Sequence, residues 1–186
     1  MSQEEFDIQK FIEGDKSVFN EILNKYKPFV YTVSMSILRN KEDSEEVLQD
    51  VFVKIYFSLK DFKGKSTLKT WIYRITYNSC LNKLKKNKKS LEIDSELIED
   101  ITVDTSDSYD DEIEHKEETI RLLKESLLEL KPIESTVLTL FYLEELSIRQ
   151  MGEITSLSES NIKVILHRSR KKLKDKLKTK SVLNEI

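Results

Sequence analysis

The densest group of side chains that could do chemistry lies between Ser147 and Lys174. The stretch 147-SIRQMGEITSLSESNIKVILHRSRKKLK-174 contains two short amphipathic patterns separated by small polar residues, and the second pattern runs into a cluster of lysine and arginine. Lysine and arginine neutralise phosphates, which supplies most of the sequence-independent affinity for nucleic acid. The chemistry favoured by this stretch is therefore reversible binding to a polyanion.

Two predicted helices would position these side chains. Ser147 and Gln150 have the Ser-x-x-Gln spacing of a capping box, which predicts the start of a short helix. Residues 155–158 supply a turn, and Ser158 can cap a longer helix. The apolar stripe of that longer helix consists of Ile162, Leu166, Ser169, Leu173 and Leu177. This order predicts a helix-turn-helix, whose second helix lies in the major groove of DNA; the alternative is an ordinary helical hairpin with a soluble tail.

No group of residues has the spacing of a catalytic or metal site. The chain has no Gly-rich phosphate loop, no nucleophile elbow and no Cys/His cluster, and its two histidines, His115 and His167, are far apart. Many carboxylates lie in an acidic run, where nothing would hold a catalytic pair. We therefore predict a binding protein rather than an enzyme, with no catalytic residue, no metal and no cofactor.

The composition predicts an all-α fold in a cytoplasmic protein. Three glycines and two prolines are too few for the many turns of an all-β fold, and leucine, isoleucine, lysine and glutamate favour helix. The single cysteine, Cys80, excludes an internal disulfide and fits a reducing compartment. No apolar run approaches the roughly 18 residues that span a bilayer. The acidic N-terminus lacks the apolar segment of a signal peptide.

The net charge of −3 hides a segregation of charge along the chain. Residues 1–89 carry 17 lysines and arginines against 12 acidic residues, and residues 161–186 carry nine against two. Residues 90–118 carry one lysine against 13 acidic residues and have no sustained apolar period. We predict two small helical domains, 1–89 and 119–186, joined by a flexible acidic linker at 90–118. The alternative for each charge run is a solvated face.

Further helices are predicted from apolar spacing and capping residues. They cover 17–38 (kinked or split at Pro28), 40–59 (capped by Asn40 or Asp43), 67–89, 119–130 and 132–145. The clearest break is 60-KDFKGKST-67, where Gly64 lies among polar and basic residues. The helix after this break ends in five lysines within nine residues, which gives the first domain a basic end of its own.

Three stretches together resemble a known family. They are 42-EDSEEVLQDVFVKIY-56, 62-FKGKSTLKTWIYRITYNSCLNKLKK-86 and 147-SIRQMGEITSLSESNIKVILHRSRKKL-173. In this order, with an acidic spacer, they resemble the extracytoplasmic-function (ECF) group of the sigma-70 family, the sigma factors of bacterial RNA polymerase. The first two are similar to the family's region 2, and the third is similar to its region 4.

The resemblance implies a role for each stretch. Residues expected to dock on core RNA polymerase are Glu46, Gln49, Asp50 and Lys54. Residues expected to open or contact the minus-ten element of promoter DNA are Phe62, Lys63, Gly64, Lys65, Ser66, Lys69, Arg74, Tyr77 and Asn78. Residues expected to read the minus-thirty-five element as duplex are Ser158, Ser160, Asn161, Lys163, His167, Arg168 and Lys171. Core packing is favoured over base contact for Trp71, and both alternatives stay open for Tyr77 and Asn78.

Some positions depart from the family pattern. Gly152 stands where the family often has alanine, Ser156 where it often has glycine, and Ile165 where it often has a polar residue. Asn82 stands where aspartate is common. These differences bear on the promoter sequence more than on the general role, which includes no membrane insertion and allows an anti-sigma factor as a further partner.

Two other functions remain as alternatives. A stand-alone helix-turn-helix regulator would bind DNA without polymerase and would need no docking helix. A helical interaction protein would sequester a partner and have no DNA role. Binding of promoter DNA that ignores salt would count against both DNA hypotheses, because counterion release requires a steep salt dependence.

Overall fold

A computed structural model describes residues 6–91, 122–123, 125–127 and 129–184. Its helices are α1 (Ile8–Ile12), α2 (Ser17–Leu38), α3 (Lys41–Ser58), a 3-10 turn (Leu59–Asp61), α4 (Leu68–Leu91), α5 (Pro132–Tyr142), α6 (Ile148–Thr155) and α7 (Glu159–Asn184). Residues 122–123 and 125–127 are also helical. These described residues contain no strand, so the predicted all-α fold is confirmed. Most of the predicted acidic linker, 92–118, lies outside the described residues.

Helices α1 to α4 form the N-terminal unit. Its core is a three-helix contact in which α2, α3 and α4 each bury side chains against the other two. The residues that are fully buried there include Ile22 and Val30 from α2, Val51 and Ile55 from α3, and Ile72 and Cys80 from α4. This burial removes apolar surface from water and fixes the direction of α3 and α4, which carry most of the predicted interface residues.

Capping residues start these helices where the sequence predicts. The Asn40 side chain accepts a hydrogen bond from the backbone N–H of Asp43 at 2.8 Å, and α3 begins at the next residue. The Thr67 hydroxyl accepts from the backbone N–H of Thr70 at 3.1 Å and begins α4. Each cap satisfies an N–H group that the first helical turn leaves without a partner.

Two predicted helix boundaries differ from the structure. Of the two outcomes predicted at Pro28, the split is not seen, because α2 continues from Ser17 to Leu38. Tyr26 and Phe29, close to the proline, are buried, so packing stabilises the helix across it. The helix predicted over 132–145 ends at Tyr142, because Glu145 has a left-handed φ of 52° and stops it.

Helices α5 to α7 form the C-terminal unit. Its buried residues include Val137 and Leu140 of α5, Met151 and Ile154 of α6, and Ile162 and Leu166 of α7. The predicted capping box is confirmed, since Gln150 N–H donates to the Ser147 hydroxyl at 3.3 Å and Ser147 N–H donates to the Gln150 side chain at 3.0 Å. Ser158 caps α7 by accepting from Asn161 N–H at 3.3 Å.

The turn between α6 and α7 depends on two small residues. Ser156 ends α6 in the left-handed region with a φ of 60°. A Cβ atom at Gly152 would lie 2.9 Å from the carbonyl oxygen of Leu157, closer than such atoms normally approach. Glycine at 152 therefore leaves room for the chain to turn back tightly, which sets the angle between α6 and α7.

The two units pack against each other. Helix α5 lies on α2, and α6 lies on α4. Between the units is a cleft of about 310 Å³, lined by Ile37, Tyr77, Leu81, Lys131, Pro132, Ile133 and Thr136. At one side the Arg39 guanidinium donates to the carbonyl oxygen of Leu130, and burial lowers the pKa of Arg39. The contact is thus partly apolar and borders a cleft that is partly open to solvent.

Candidate protein and nucleic-acid interfaces

The outer face of α3 carries the four residues predicted to dock on a protein partner. Glu46, Gln49, Asp50 and Lys54 are all exposed. Two of them also hold α4: the Lys54 ammonium donates to the Ser79 hydroxyl at 2.9 Å, and the Glu46 carboxylate contacts the Lys83 ammonium at 2.5 Å. The face is therefore held at both ends by the neighbouring helix.

Lys83 makes contacts with α3 that the sequence did not predict. Its ammonium also lies 3.0 Å from the Asp43 carboxylate, and the hydrogen bond that it donates to Glu46 raises the pKa of Lys83. The lysine therefore offsets part of the acidic charge at the start of α3. Its position among the five lysines at the end of α4 gave no hint that it differs from the others, because its partners are about 40 residues away.

Two exposed apolar side chains extend the same face of α3. Val53 is 55% exposed and Phe57 is 68% exposed, one helical turn apart and next to Gln49 and Asp50. Large apolar side chains that are left in water at the edge of a polar face are typical of protein interfaces. In the sequence, both residues fall outside the apolar stripe of α3, and this position could have predicted that they are exposed.

The loop from Phe62 to Thr67 lies directly before α4. Gly64 has a φ of 63°, which suits glycine, and Lys63 and Lys65 beside it are exposed. Phe62 packs against Trp71 with ring centroids 5.2 Å apart, and Trp71 is half-buried against the core. The loop thus places two ammonium groups around a turn whose base is fixed by an aromatic pair.

The predicted minus-ten residues of α4 fall on differently exposed parts of the helix. Arg74 and Asn78 are exposed, whereas Tyr77 is 8% exposed and lines the cleft between the units. Burial raises the pKa of the Tyr77 hydroxyl. The Lys69 ammonium lies 3.1 Å from the Glu144 carboxylate of the C-terminal unit. Within this set, Arg74 and Asn78 are therefore open to solvent, whereas Lys69 and Tyr77 lie where the C-terminal unit packs on α4.

Helix α7 presents its predicted residues to solvent. All seven are exposed: Ser158, Ser160, Asn161, Lys163, His167, Arg168 and Lys171. They begin at the N-terminus of the helix, where the unpaired N–H groups add positive potential. The buried side of α7, with Ile162, Leu166 and Ser169, faces the C-terminal core. The packing of α7 thus leaves a polar, basic face exposed from Ser158 to Lys171, over about three and a half turns.

The basic end of α7 is used partly inside the chain. Lys172 contacts Glu134 of α5 at 2.5 Å, and Lys176 contacts Glu129. The Arg170 guanidinium lies over the rings of Phe141 and Tyr142, at 4.9 and 5.3 Å from their centroids. The sequence predicts phosphate contacts for this basic tail, but three of its cations contact the C-terminal unit itself.

Neither a metal cluster nor a membrane span is found in the described part of the chain. No three His, Cys, Asp or Glu side chains converge there in a way that could hold a metal ion. No helix of that part combines the length and apolar character needed to cross a bilayer.

Comparison with known proteins identifies the two units. A family model described as Sigma-70 region 2 matches residues 22–90, and one described as Sigma-70, region 4 matches residues 120–173. The ECF RNA polymerase sigma factor SigW of Bacillus subtilis (strain 168) is 27% identical over 178 residues, which cover 92% of this chain and 95% of SigW. The ECF RNA polymerase sigma factor SigM of the same organism is 30% identical over 155 residues, which cover 83% of this chain and 92% of SigM.

Solved structures share the fold. The sigma factor RpoE, in complex with the anti-sigma factor NepR from Bartonella quintana, aligns with a TM-score of 0.72 and 21% identity over 88% of this chain and 98% of RpoE. CnrH, in complex with the cytosolic domain of CnrY, aligns with a TM-score of 0.62 and 17% identity over 92% of this chain and 95% of CnrH.

The fold and its separated surfaces define a two-unit helical protein with a DNA-binding helix-turn-helix. The chain belongs to the ECF group of the sigma-70 family and is an RNA polymerase sigma factor. The resemblance seen in the sequence is thereby confirmed. The stand-alone regulator is not favoured, because the matches run along both units and the relatives are sigma factors.

Proposed function

We propose that this sigma factor binds core RNA polymerase through α3 and directs it to a promoter that it contacts at two places. The minus-ten element would meet the Phe62–Thr67 loop and α4, and the minus-thirty-five element would meet α7. The observation that carries the proposal is the exposure of all seven predicted residues of α7 on one basic face, in a chain of this family.

The docking face of α3 suits a basic helical partner. Gln49 and Asp50 supply polar and acidic groups, and Val53 and Phe57 add apolar surface that water-exclusion would stabilise. We include Val53 and Phe57 in the docking site on this ground. Glu46 and Lys54 would act at its edge, since both are already engaged with α4.

The loop and α4 suit a strand whose bases leave the stack. Lys63 and Lys65 can neutralise phosphates on either side of Gly64, where the backbone is open enough to approach a flipped base. Aromatic stacking on an unpaired base contributes about 1–3 kcal/mol. Phe62 is the aromatic side chain nearest to that turn, and its contact with Trp71 would hold it in position.

Helix α7 suits an intact duplex. Ser160, Asn161 and Lys163 lie in its first turns and would meet base edges in the major groove. His167, Arg168 and Lys171 lie further along and would meet phosphates. Because phosphate contacts carry no sequence information, the first three residues would decide which promoter is chosen.

The wider role follows from this division of labour. The units 1–89 and 119–186 would act as separate contacts joined by residues 90–118, in the cytoplasm, and the polymerase would supply the catalysis. The two solved relatives RpoE and CnrH are named in complexes, one of them with an anti-sigma factor. We propose a partner of the same kind here, with a regulon that responds to stress or to the cell envelope.

Run-off transcription tests the proposed function. Purified chain, core RNA polymerase and fragmented genomic DNA should give discrete transcripts that neither protein gives alone. Promoter binding of the holoenzyme should weaken steeply with salt, because phosphate neutralisation releases counterions. The absence of transcripts from every locus, with a core enzyme that is active with another sigma factor, would contradict the proposal.

A further inference from the structure

The basic tail of α7 meets two acidic side chains of its own unit. The Lys172 ammonium lies 2.5 Å from the Glu134 carboxylate on α5, and the Lys176 ammonium contacts the Glu129 carboxylate just before α5. Lys172 and Lys176 are one helical turn apart, so they lie on the same side of α7. Two carboxylates therefore follow the flank of α7 over one turn.

The Glu134 carboxylate is fixed in position. The residue is buried, and its second carboxylate oxygen accepts the backbone N–H of Lys131 at 3.1 Å in the cap of α5. Burial acts to raise the pKa of this carboxyl, but the hydrogen bonds from Lys172 and Lys131 outweigh burial, and the pKa lies below its usual value. The carboxylate therefore stays ionised, and it cannot turn away from α7 without breaking the cap.

Lys172 lies where a released ammonium would meet DNA. It directly follows Lys171 and is one helical turn beyond Arg168, and both of these residues are proposed to meet phosphates. The Lys172 side chain is about half exposed although its ammonium is bound. One turn of helix advances by about 5.4 Å, which the flexible side chain of lysine can span. Without Glu134, Lys172 would add a phosphate contact to the basic face of α7.

Glu134 and a DNA phosphate compete for the same ammonium. Because Glu134 belongs to the same folded unit, its effective concentration at Lys172 is far higher than that of a phosphate arriving from solution. Exchange would also leave a buried carboxylate without its cation, which is costly. Lys172 is therefore kept from DNA. The pair of Lys176 and Glu129 is more open to solvent, so its effect is smaller.

We infer that Glu134, with a smaller contribution from Glu129, withholds two cations of α7 from DNA phosphates and so limits the sequence-independent affinity of this helix. The inference rests on the proposed contact of α7 with promoter DNA. Each phosphate contact adds affinity at every site, whatever its sequence. A chromosome offers on the order of 10⁶ or more competing sites, so fewer such contacts leave more of the chain available to polymerase.

The salt dependence of non-specific binding tests the inference in the full-length chain. Fluorescence anisotropy with a labelled duplex of unrelated sequence gives the binding constant at a series of KCl concentrations. Glu134→Gln keeps an oxygen for the cap of α5 but removes the charge that binds Lys172. We expect it to steepen the slope of log K against log[KCl] by about 0.9, the value for one added phosphate, and to tighten binding about fivefold near 0.1 M KCl. Glu129→Gln, which leaves the cap unaltered, should act in the same direction.

Three further variants separate the released lysine from a general change of charge. Lys172→Gln alone should leave the slope unchanged, whereas Lys171→Gln, at the next residue, should flatten it by about 0.9. Adding Lys172→Gln to Glu134→Gln should return the slope to the wild-type value. Glu145→Gln removes the same charge as Glu134→Gln from an exposed residue after α5 and should not alter the slope.

Two results would overturn the inference. One is an unchanged slope for both Glu134→Gln and Glu129→Gln in chains whose thermal unfolding shows that they fold; the ion pairs would then only hold α7 against α5. The other is a slope that Lys172→Gln alone flattens as much as Lys171→Gln does. Neither result affects the proposed function if the wild-type holoenzyme gives run-off transcripts. The absence of those transcripts would contradict the proposed function instead.

Discussion

The two helices proposed to contact DNA differ in how much of them the rest of the chain covers. Every predicted residue of α7 is exposed, whereas on α4 Lys69 contacts Glu144 and Tyr77 is 8% exposed. A helix that reads an intact duplex needs only an open face. A surface that holds unpaired bases carries aromatic and cationic groups that other parts of the chain can also bind.

The largest effect that would test this comparison is on the stability of the units. Met151→Ala removes a fully buried side chain from the C-terminal unit and should lower its unfolding free energy by about 3 kcal/mol. If the two units unfold independently, the urea midpoint measured by circular dichroism should fall. The midpoint measured by Trp71 fluorescence, which reports the N-terminal unit, should not change. Ile55→Ala is the control and should shift the Trp71 transition. A common shift of both signals for Met151→Ala would mean that the units unfold as one.

The next effect concerns the open helix. Lys163→Ala should weaken holoenzyme binding to promoter DNA by about 2 kcal/mol, roughly 30-fold, because it removes a base-edge contact in the first turns of α7. Filter binding on promoters with intact and altered minus-thirty-five elements measures it, and the loss should shrink on the altered element. Lys174→Ala, an exposed lysine further along the same helix, should cost far less. Equal losses of binding free energy for both variants would show that α7 contributes charge but does not discriminate between promoter sequences.

A smaller effect separates DNA contact from polymerase contact. Asp50→Ala and Phe57→Ala should each weaken the binding of core RNA polymerase by about 1 kcal/mol and leave the minus-thirty-five preference unchanged. Labelled sigma factor titrated with core enzyme gives the dissociation constant. Glu21→Ala, on an exposed position of α2, is the charge-matched control for Asp50→Ala. If Asp50→Ala changed promoter preference and spared polymerase binding, the assignment of α3 would be wrong.

The smallest effect concerns the turn that aims α7. Gly152→Ala should destabilise the C-terminal unit by about 1 kcal/mol, because the new Cβ would lie 2.9 Å from the Leu157 carbonyl oxygen and the strain exceeds the gain in helix propensity. Ser156→Gly should stabilise it by up to about 1 kcal/mol, since φ is 60° there. Thermal unfolding of each variant and of the pair measures both. A stabilising Gly152→Ala would show that the turn tolerates the extra atom.

Local patterns determined most of the helices and the family. The Asn40 cap, the capping box of Ser147 and Gln150 and the apolar stripe of α7 act within one or two turns, so the sequence carries them directly. The same holds for the exposed residues of α7, because a helical period that buries Ile162 and Leu166 leaves Asn161, Lys163 and Arg168 outside.

The tertiary structure decided which of those surfaces are covered. The Tyr73 hydroxyl meets a carboxylate 71 residues away, and the Lys83 ammonium meets Glu46, 37 residues away. No local spacing encodes such contacts; they depend on how α5 and α6 lie on α2 and α4. The exposure of Val53 and Phe57 and the continuity of α2 through Pro28 were likewise settled by packing. Periodicity and caps act over a few residues, whereas the choice of packing partner is a property of the whole folded chain.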